Sequence, residues 1–536
     1  MQQKWWHKSV VYQIYPRSFN DTTGNGVGDI KGIIEKLDYL KNLGIDVIWL
    51  SPVYQSPMED NGYDISDYQA IDPLFGTLED MDLLIAEGKM RDIKIVMDLV
   101  VNHTSDKHKW FEESRKSKDN PYRDYYIWRD QPNDLRSVFG GSAWTYDENT
   151  NQYYFHNFAK GQPDLNWENP TVQKEIHQMI NWWLERGIGG FRMDVIDLIG
   201  KEIDKKIIGN GPRLHPLLKS MNQETFGNYD VLMVGETWGA NPEIAEMFSD
   251  PEREELSMIF QFEHMTIDWG HLGKWTPKEL DFNLLKQILS KWQTDLVKGW
   301  NSLFWNNHDL PRIVSRWGDD KNFRVESAKM LAIILHMMKG TPYIYQGEEI
   351  GMVNVKYDQL SDYNDVEIHG TYKDIVEEQH KLSYDEFMQG VYAMGRDNAR
   401  TPIQWSDESQ AGFTIGTPWL KVNPNYKEIN VENTLKDKNS IFYTYNKLID
   451  LRKNSEYSQT IIHGQYELLL ENDQNIFAYR RFDENHELLV VANFTGNEVS
   501  IQLNNRAQEI ILSNYEDSNI NPHSLRPYET CVYKIK

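Results

Sequence analysis

No disulfide can form within this sequence, because Cys531 is its only cysteine. That fits a reducing compartment and sets aside the stapled scaffolds of small secreted proteins. No apolar run approaches the roughly 20 residues of a membrane span. The first residues, Met1-Gln-Gln-Lys-Trp-Trp-His7, lack the apolar core of a secretory signal. Positive charge is also short: 56 Lys and Arg stand against 81 Asp and Glu, a net −25. Nucleic acid and anionic membranes both select basic patches, so neither is an expected partner. The expectation is a cytoplasmic, soluble monomer.

What is present is ample for globular folding. The 536 residues are 40% hydrophobic and exceed one ordinary core, so two or three domains are expected. Aromatics reach 12%, with 18 Trp and 29 Tyr. Most of these belong to cores, and some are candidates to stack against pyranose rings.

Short β-rich runs alternate with helical patterns. The strand candidates are residues 10–15, 47–50, 93–99, 190–194, 231–235, 258–262, 302–305 and 343–345. Eight strands alternating with helices predict a parallel (β/α)8 TIM barrel, an α/β fold. About ninety residues separate the third strand from Gly190, far more than one connection needs. The polar, aromatic, turn-rich stretch after His103 is therefore read as an inserted domain. A second charged insertion, 353–396, follows strand eight. From Ile461 the pattern becomes alternating, as in Ile476-Phe-Ala-Tyr-Arg-Arg-Phe482, which predicts a C-terminal antiparallel β-sandwich. The expected boundaries are 1–103 with 170–457 for the barrel, 104–169 for the insertion and 458–536 for the sandwich.

Three apolar runs end on acids: Gly190-Phe-Arg192-Met-Asp194, Val231-Leu-Met-Val-Gly-Glu236 and Leu303-Phe-Trp-Asn-Asn-His308-Asp309. The C-terminal ends of parallel barrel strands are where such barrels do chemistry. One acid after a strand is ordinary turn chemistry. Three, joined by Arg192 and His308, point to a reaction with a cation-like transition state, and sugar transfer is the candidate. Arg192 lies two residues before Asp194, so on a strand both side chains share a face. Its guanidinium would hold Asp194 ionised, while Glu236 would need a site that is drier or closer to other anions to keep a proton.

With these motifs the chain is identified as a member of the α-amylase superfamily of retaining glycoside hydrolases, family 13. The matching segments are Asp98-Leu-Val-Val-Asn102-His103, Gly190-Phe-Arg192-Met-Asp194-Val195, Val234-Gly-Glu236-Thr-Trp238 and Asn307-His308-Asp309. The resemblance covers essentially the whole chain. It implies Asp194 as nucleophile, Glu236 as general acid/base and Asp309 as the third acid. It implies His103 and His308 as sugar-binding histidines. Asp60 and Arg396 resemble the acid–arginine pair that binds the terminal 4-hydroxyl and makes an enzyme exo-acting. Tyr63 would stack beneath the same ring, and Gln162 would line the pocket.

Segments such as Val11-Tyr-Gln-Ile-Tyr-Pro16, Gln162-Pro163-Asp-Leu-Asn-Trp167 and Gly395-Arg396-Asp-Asn-Ala-Arg400 are similar to the oligo-1,6-glucosidase and dextran glucosidase branch. Val195 resembles that α-1,6-specific branch, whereas α-1,4-specific relatives tend to carry Thr. Trp238, Lys274 and Glu367 match positions that shape its reducing-side subsites. The implied substrates are isomalto-oligosaccharides and dextran. The competing activities are oligo-1,6-glucosidase, trehalose-6-phosphate hydrolase and sucrose isomerase. Outside enzymes, the competitor is a catalytically dead transporter chaperone. No organic cofactor is expected.

Asp21-Thr-Thr23-Gly-Asn25-Gly-Val27-Gly-Asp29 places oxygen donors at alternate positions around glycines. That pattern resembles a hard-cation loop, and relatives carry structural Ca²⁺ there. Thr23 and Asn25 stand where relatives often show Asn and Asp, which leaves two full carboxylates. A Gly-rich turn without metal is the alternative.

Overall fold

Eight parallel strands form the centre of the protein in a computed structural model that describes residues 3–502 and 507–535. They are β1 (Val11–Ile14), β2 (Val47–Leu50), β3 (Lys94–Leu99), β4 (Gly190–Met193), β5 (Leu232–Thr237), β6 (Met258–Gln261), β7 (Ser302–Leu303) and β8 (Thr341–Tyr345). Each pairs with its sequence neighbour, and β1 pairs with β8. The Ile259–Asn301 bridge joins β6 to the β7 segment and completes the ring. The (β/α)8 barrel read from the sequence is thus the observed fold. Apart from Lys94 at the start of β3, every residue of these strands is buried. They therefore read as continuous apolar runs rather than as an alternation.

Helix starts follow local chemistry. Thr77 and Asp80 form a capping box on Leu78–Met90. Asn169 caps Pro170–Glu185, with Pro170 in the first turn where its missing N–H costs nothing. Gly190 begins β4 at φ +134°, and a Cβ there would lie 1.9 Å from the Leu232 carbonyl oxygen. Only glycine lets β4 and β5 approach so closely; Asp194 directly follows β4, and β5 carries Glu236.

The chain between β3 and β4 forms a three-stranded antiparallel sheet from Trp128–Arg129, Trp144–Asp147 and Gln152–Phe155. The insertion after β8 carries helices Val366–Thr371 and Tyr384–Met394. Arg136 bonds Asp374 at 2.7 Å, so the two insertions touch above the barrel mouth. Beyond the barrel, five antiparallel strands span Gln465–Leu469 to Thr530–Lys534, and a two-stranded ribbon joins Val499–Ser500 to Ser524–Leu525. Arg481 fixes this sheet to the barrel by donating to Met337 O at 2.7 Å and Gly464 O at 2.8 Å. Among the described residues no helix is long and apolar enough to cross a membrane.

Glu348, just after β8, accepts from Tyr445 Oη at 2.6 Å and clasps helix Ile441–Asn454 to the barrel. Its other carboxyl oxygen has no partner, and burial pushes the group up to about 7. An acid whose folded value is raised binds its proton more tightly when folded. Stability is then lost as pH rises from the ordinary carboxyl range towards 7. Glu348→Gln should remove that loss, so the variant should gain melting temperature over the parent at pH 8 but not at pH 5. Thermal melts at both pH values check it.

Candidate active site

At the C-terminal end of the barrel, Arg192 is fully buried among acids. Its Nη1 donates to Asp98 Oδ1 and to Asp194 Oδ1, each at 2.8 Å, and its Nη2 donates to Glu236 Oε2. The register explains this convergence. Asp98 on β3 pairs with Arg192 on β4, and Arg192 pairs with Val234 on β5, two residues before Glu236. Val195 N donates to the same Glu236 oxygen at 3.1 Å, and Trp238 Nε1 donates to Glu236 Oε1 at 2.8 Å. Val195 reaches that position at φ +35°, ψ +45°, a left-handed conformation that is strained for a β-branched residue.

Arg192 is thus shared between the two acids, and Glu236 is the more buried of them, 2% exposed against 7% for Asp194. Burial pushes the Asp194 carboxyl well up, Arg192 opposes it, and the charges of Glu236, Asp98 and Asp309 add to the rise. Asp98 is likewise pushed by burial to about 6. Acids crowded round one guanidinium repel one another, and that repulsion, like burial, disfavours the charged form of Asp194.

Asp309 behaves differently. Burial would raise it, but His308, Arg396, Arg400 and Arg192 outweigh burial and hold it well below the usual carboxylate range. His308 lies 3.2 Å away through Nε2, and Arg400 Nη2 donates at 2.8 Å. Gln13 Nε2 donates to His308 Nδ1 at 2.8 Å, which leaves the ring proton on Nε2, facing Asp309. Burial drives His308 down to about 3 and His103 to about 4, so both rings are neutral donors and acceptors at neutral pH.

Adjoining this cluster, Arg396 Nη2 bonds Asp60 Oδ1 at 3.1 Å and its Nη1 bonds Asp309 Oδ1 at 3.2 Å. Asp365 accepts from Arg396 Nε at 3.0 Å and holds the guanidinium from behind. Burial pushes Asp60 up to about 7 against the pull of Arg396 and Arg400. Gln162 Nε2 bonds Asp60 Oδ2 at 3.1 Å. Tyr63 stacks on His308 with centroids 4.9 Å apart and donates to Asp98 Oδ2 at 2.9 Å.

A cavity of about 420 Å³ joins these groups. Asp60, Tyr63, His103, Asp194, Val195, Glu236, Trp238, His308, Asp309, Glu367 and Arg396 all line it. Arg192 and Gln162 sit behind the lining, and Lys274 reaches Glu367 from outside it through an ion pair. The sequence reading missed Val138, Phe139, Asn157 and Phe158 from the first insertion, Trp269, and Asp197. It also missed Gln13, Asp98, Asp365 and Arg400 as supports. Arg400 lies inside a motif that was read, four residues after Arg396. The insertion residues carry no signal beyond an aromatic-rich stretch.

The 21–29 loop lies apart from the cavity lining. Asp21 accepts from the N–H groups of Thr23, Gly24 and Gly26 at 2.8, 2.9 and 2.8 Å, and from Thr414 Oγ1 at 2.6 Å. Asn25 Oδ1 accepts from Val27 N, and Asp29 caps helix Ile30–Glu35 through Gly32 N. The donors suit a hard cation in kind, but their lone pairs are largely engaged. Among the described residues no group of three or more His, Cys, Asp and Glu is placed to hold a metal.

Comparison with known proteins fits this geometry. Residues 13–462 match the alpha amylase catalytic domain, and residues 476–532 match the alpha-amylase SusG C-terminal domain. The chain belongs to the α-amylase family. Over 518 residues it is 56% identical to a glucan 1,6-alpha-glucosidase of Streptococcus pneumoniae serotype 4, covering 96% of each chain. It is 54% identical to an oligo-1,6-glucosidase of Bacillus cereus over the full length of both. The crystal structure of Bacillus licheniformis trehalose-6-phosphate hydrolase superposes with a TM-score of 0.93 at 48% identity, covering 99% of this chain and 100% of that one.

An α-amylase family site with these acids predicts that Asp194→Asn and Glu236→Gln each cut glucoside hydrolysis by roughly 10³-fold or more with the fold intact. Steady-state rates and circular dichroism check this. The first glucose released should be the α-anomer by NMR.

Proposed function

We propose that this chain is an exo-acting, retaining α-1,6-glucosidase that releases α-glucose from the non-reducing ends of isomalto-oligosaccharides and dextran. The observation that carries this reading is the Asp60–Arg396 pair, which lines the same cavity as Asp194 and Glu236. A pocket stopped by an ion pair that can grip a terminal hydroxyl accepts a chain end and not a chain middle. The glucosidase names of the relatives at 56% and 54% identity support the linkage.

In this mechanism the Asp194 carboxylate attacks the anomeric carbon from the face opposite the leaving oxygen. Glu236 gives its proton to that oxygen as the bond breaks, leaving a β-glucosyl ester on Asp194. Water then enters, Glu236 takes its proton, and attack at the same carbon restores the α configuration. Asp309, held ionised, binds ring hydroxyls and strengthens as the ring flattens towards the oxocarbenium-like state. Arg192 keeps both reacting acids in register throughout. His103, His308 and Tyr63 hold the same ring, and Trp238, Lys274 and Glu367 border the sugar that leaves.

Charge separates this reading from a phosphorylated substrate. The lining holds six acids, Asp60, Asp194, Asp197, Glu236, Asp309 and Glu367, and Arg396 as its cation. Lys274 is already paired with Glu367. A phosphate dianion entering such a cavity finds Arg396 and Lys274 already paired with acids. The stretch after the fourth motif, Arg316-Trp-Gly-Asp-Asp320, also lacks the Arg-rich loop of sucrose isomerases. Initial rates on isomaltose, isomaltotriose, longer isomaltosides, dextran and trehalose-6-phosphate test the proposal. Isomaltosides should be cleaved and trehalose-6-phosphate left, and a preference for the phosphate would overturn it. The dextran rate separates a dextran glucosidase from an oligo-1,6-glucosidase.

Linkage choice is assigned to Val195, beside the nucleophile at the cavity wall. Val195→Thr adds a hydroxyl at nearly constant volume. It should raise kcat/KM on maltose relative to isomaltose by about tenfold, the scale of one changed contact. An unchanged ratio would place linkage choice elsewhere.

Two further readings accompany the activity. A cytoplasmic location rests on the lone, buried Cys531 and the net charge of −25, and we take the chain to be a monomer. A structural Ca²⁺ at Asp21, Thr23, Asn25, the Val27 carbonyl and Asp29 would be weakly held, since hydrogen bonds already engage the side-chain oxygens of Asp21, Thr23, Asn25 and Asp29. Ligand bound only by the folded state adds stability. Millimolar Ca²⁺ should therefore raise the melting temperature over a chelator control without changing kcat. Equal melting, with no metal by elemental analysis, would remove the ion from the account.

A further inference from the structure

Asp60 and Tyr63 reach the cavity from one turn, residues 58–64, between the short paired strands Tyr54–Gln55 and Asp67–Ile71. The backbone would not adopt this turn unaided. Met58, Asn61 and Gly62 stand at φ +64°, +51° and +107°, the left-handed region that only glycine enters freely. Such a path persists where its surroundings fix it.

Asp64 supplies that constraint. It is 1% exposed and does not itself line the cavity. Its carboxylate faces back along the chain: Oδ2 accepts from Glu59 N at 2.8 Å and Oδ1 from Asp60 N at 3.0 Å. Hydrogen bonds from amides to a carboxylate are among the stronger ones. The Asp64 carbonyl accepts from Ser56 Oγ at 2.8 Å, and Ser56 Oγ accepts from Met58 N at 3.0 Å. The turn is thereby closed on itself at Asp64.

The two cavity residues on this turn do not depend on it equally. Tyr63 has anchors in the barrel, through its bond to Asp98 and its stacking on His308. The Asp60 carboxylate meets Gln162 and Arg396, one from each insertion, and its backbone N–H is the one that Asp64 holds.

We infer that Asp64 is a positioning residue for the chain-end grip: by holding the Glu59 and Asp60 amides it keeps the Asp60 carboxylate at Arg396 and Gln162, where the terminal 4-hydroxyl binds. The inference rests on the reading of Asp60 and Arg396 as that grip. Loss of Asp64 should therefore be felt by a sugar that has the hydroxyl and spared by one that lacks it.

Isomaltose and its analogue without the 4-hydroxyl on the non-reducing ring make that distinction. The unaltered enzyme should prefer isomaltose by roughly 10²-fold or more, because a site built round a hydroxyl rejects a ring without it. Asp64→Ala should lower kcat/KM on isomaltose by about 10–100-fold and on the analogue by less than about threefold. Asp64→Asn keeps one acceptor and should lose about 3–10-fold on isomaltose, with the analogue again spared; it carries the test if Asp64→Ala does not fold. In an Asp60→Ala background, Asp64→Ala should cost less than about threefold more on isomaltose, because both changes break one linkage. Equal losses on both substrates would show a merely structural role and overturn the inference. Full isomaltose activity in both Asp64 variants, or a fully additive loss with Asp60→Ala, would overturn it too. The underlying reading is checked separately: if Asp60→Ala itself kept the preference for isomaltose, the chain-end grip would fall and not the role of Asp64 alone.

Discussion

Everything in this site hangs on one buried guanidinium. Arg192 bonds Asp98, Asp194 and Glu236 from three adjacent barrel strands, and a charge so deep in the protein is tolerable only because those acids surround it. The dependence runs both ways. Without Arg192 the acids would repel, and the C-terminal ends of β3, β4 and β5 would have no common anchor. Lysine cannot substitute, since three carboxylates in different directions need the flat fork of an arginine.

The barrel supplies the positions and the insertions supply the walls. Strand register alone brings Asp98, Arg192 and Glu236 together, so the acids are built into the most rigid part of the molecule. Phe139, Asn157 and Phe158 come from the first insertion, and Glu367 and Arg396 from the second. Those walls decide that one chain end enters. The same division explains how relatives of nearly the same shape carry names for different substrates: the strands carry the bond-breaking groups, while the loops meet the rest of the substrate.

Much of this was legible in the sequence, for a physical reason. Buried parallel strands read as apolar runs, and a polar residue at the end of one stands out, so Asp194, Glu236, Asp309 and the eight strands could be found. Three things could not. Phe139 and Phe158 lie in irregular chain, where no periodicity links sequence position to direction. Asp365 and Arg400 act from behind Arg396 and Asp309, and only the folded path brings them there. The sharing of Arg192 was also hidden, because spacing along one strand shows its proximity to Asp194 but says nothing about the strands on either side.

Val195 sits in a left-handed backbone conformation that a β-branched residue resists, and from there its N–H reaches Glu236. The folded protein has therefore stored strain beside Asp194. A search for thermostable variants would be drawn to this position, where glycine or asparagine relaxes the chain. Relaxation would free the amide that restrains the acid. The position makes robustness and turnover compete within one peptide unit, so selection for heat resistance alone would be expected to erode the enzyme there first.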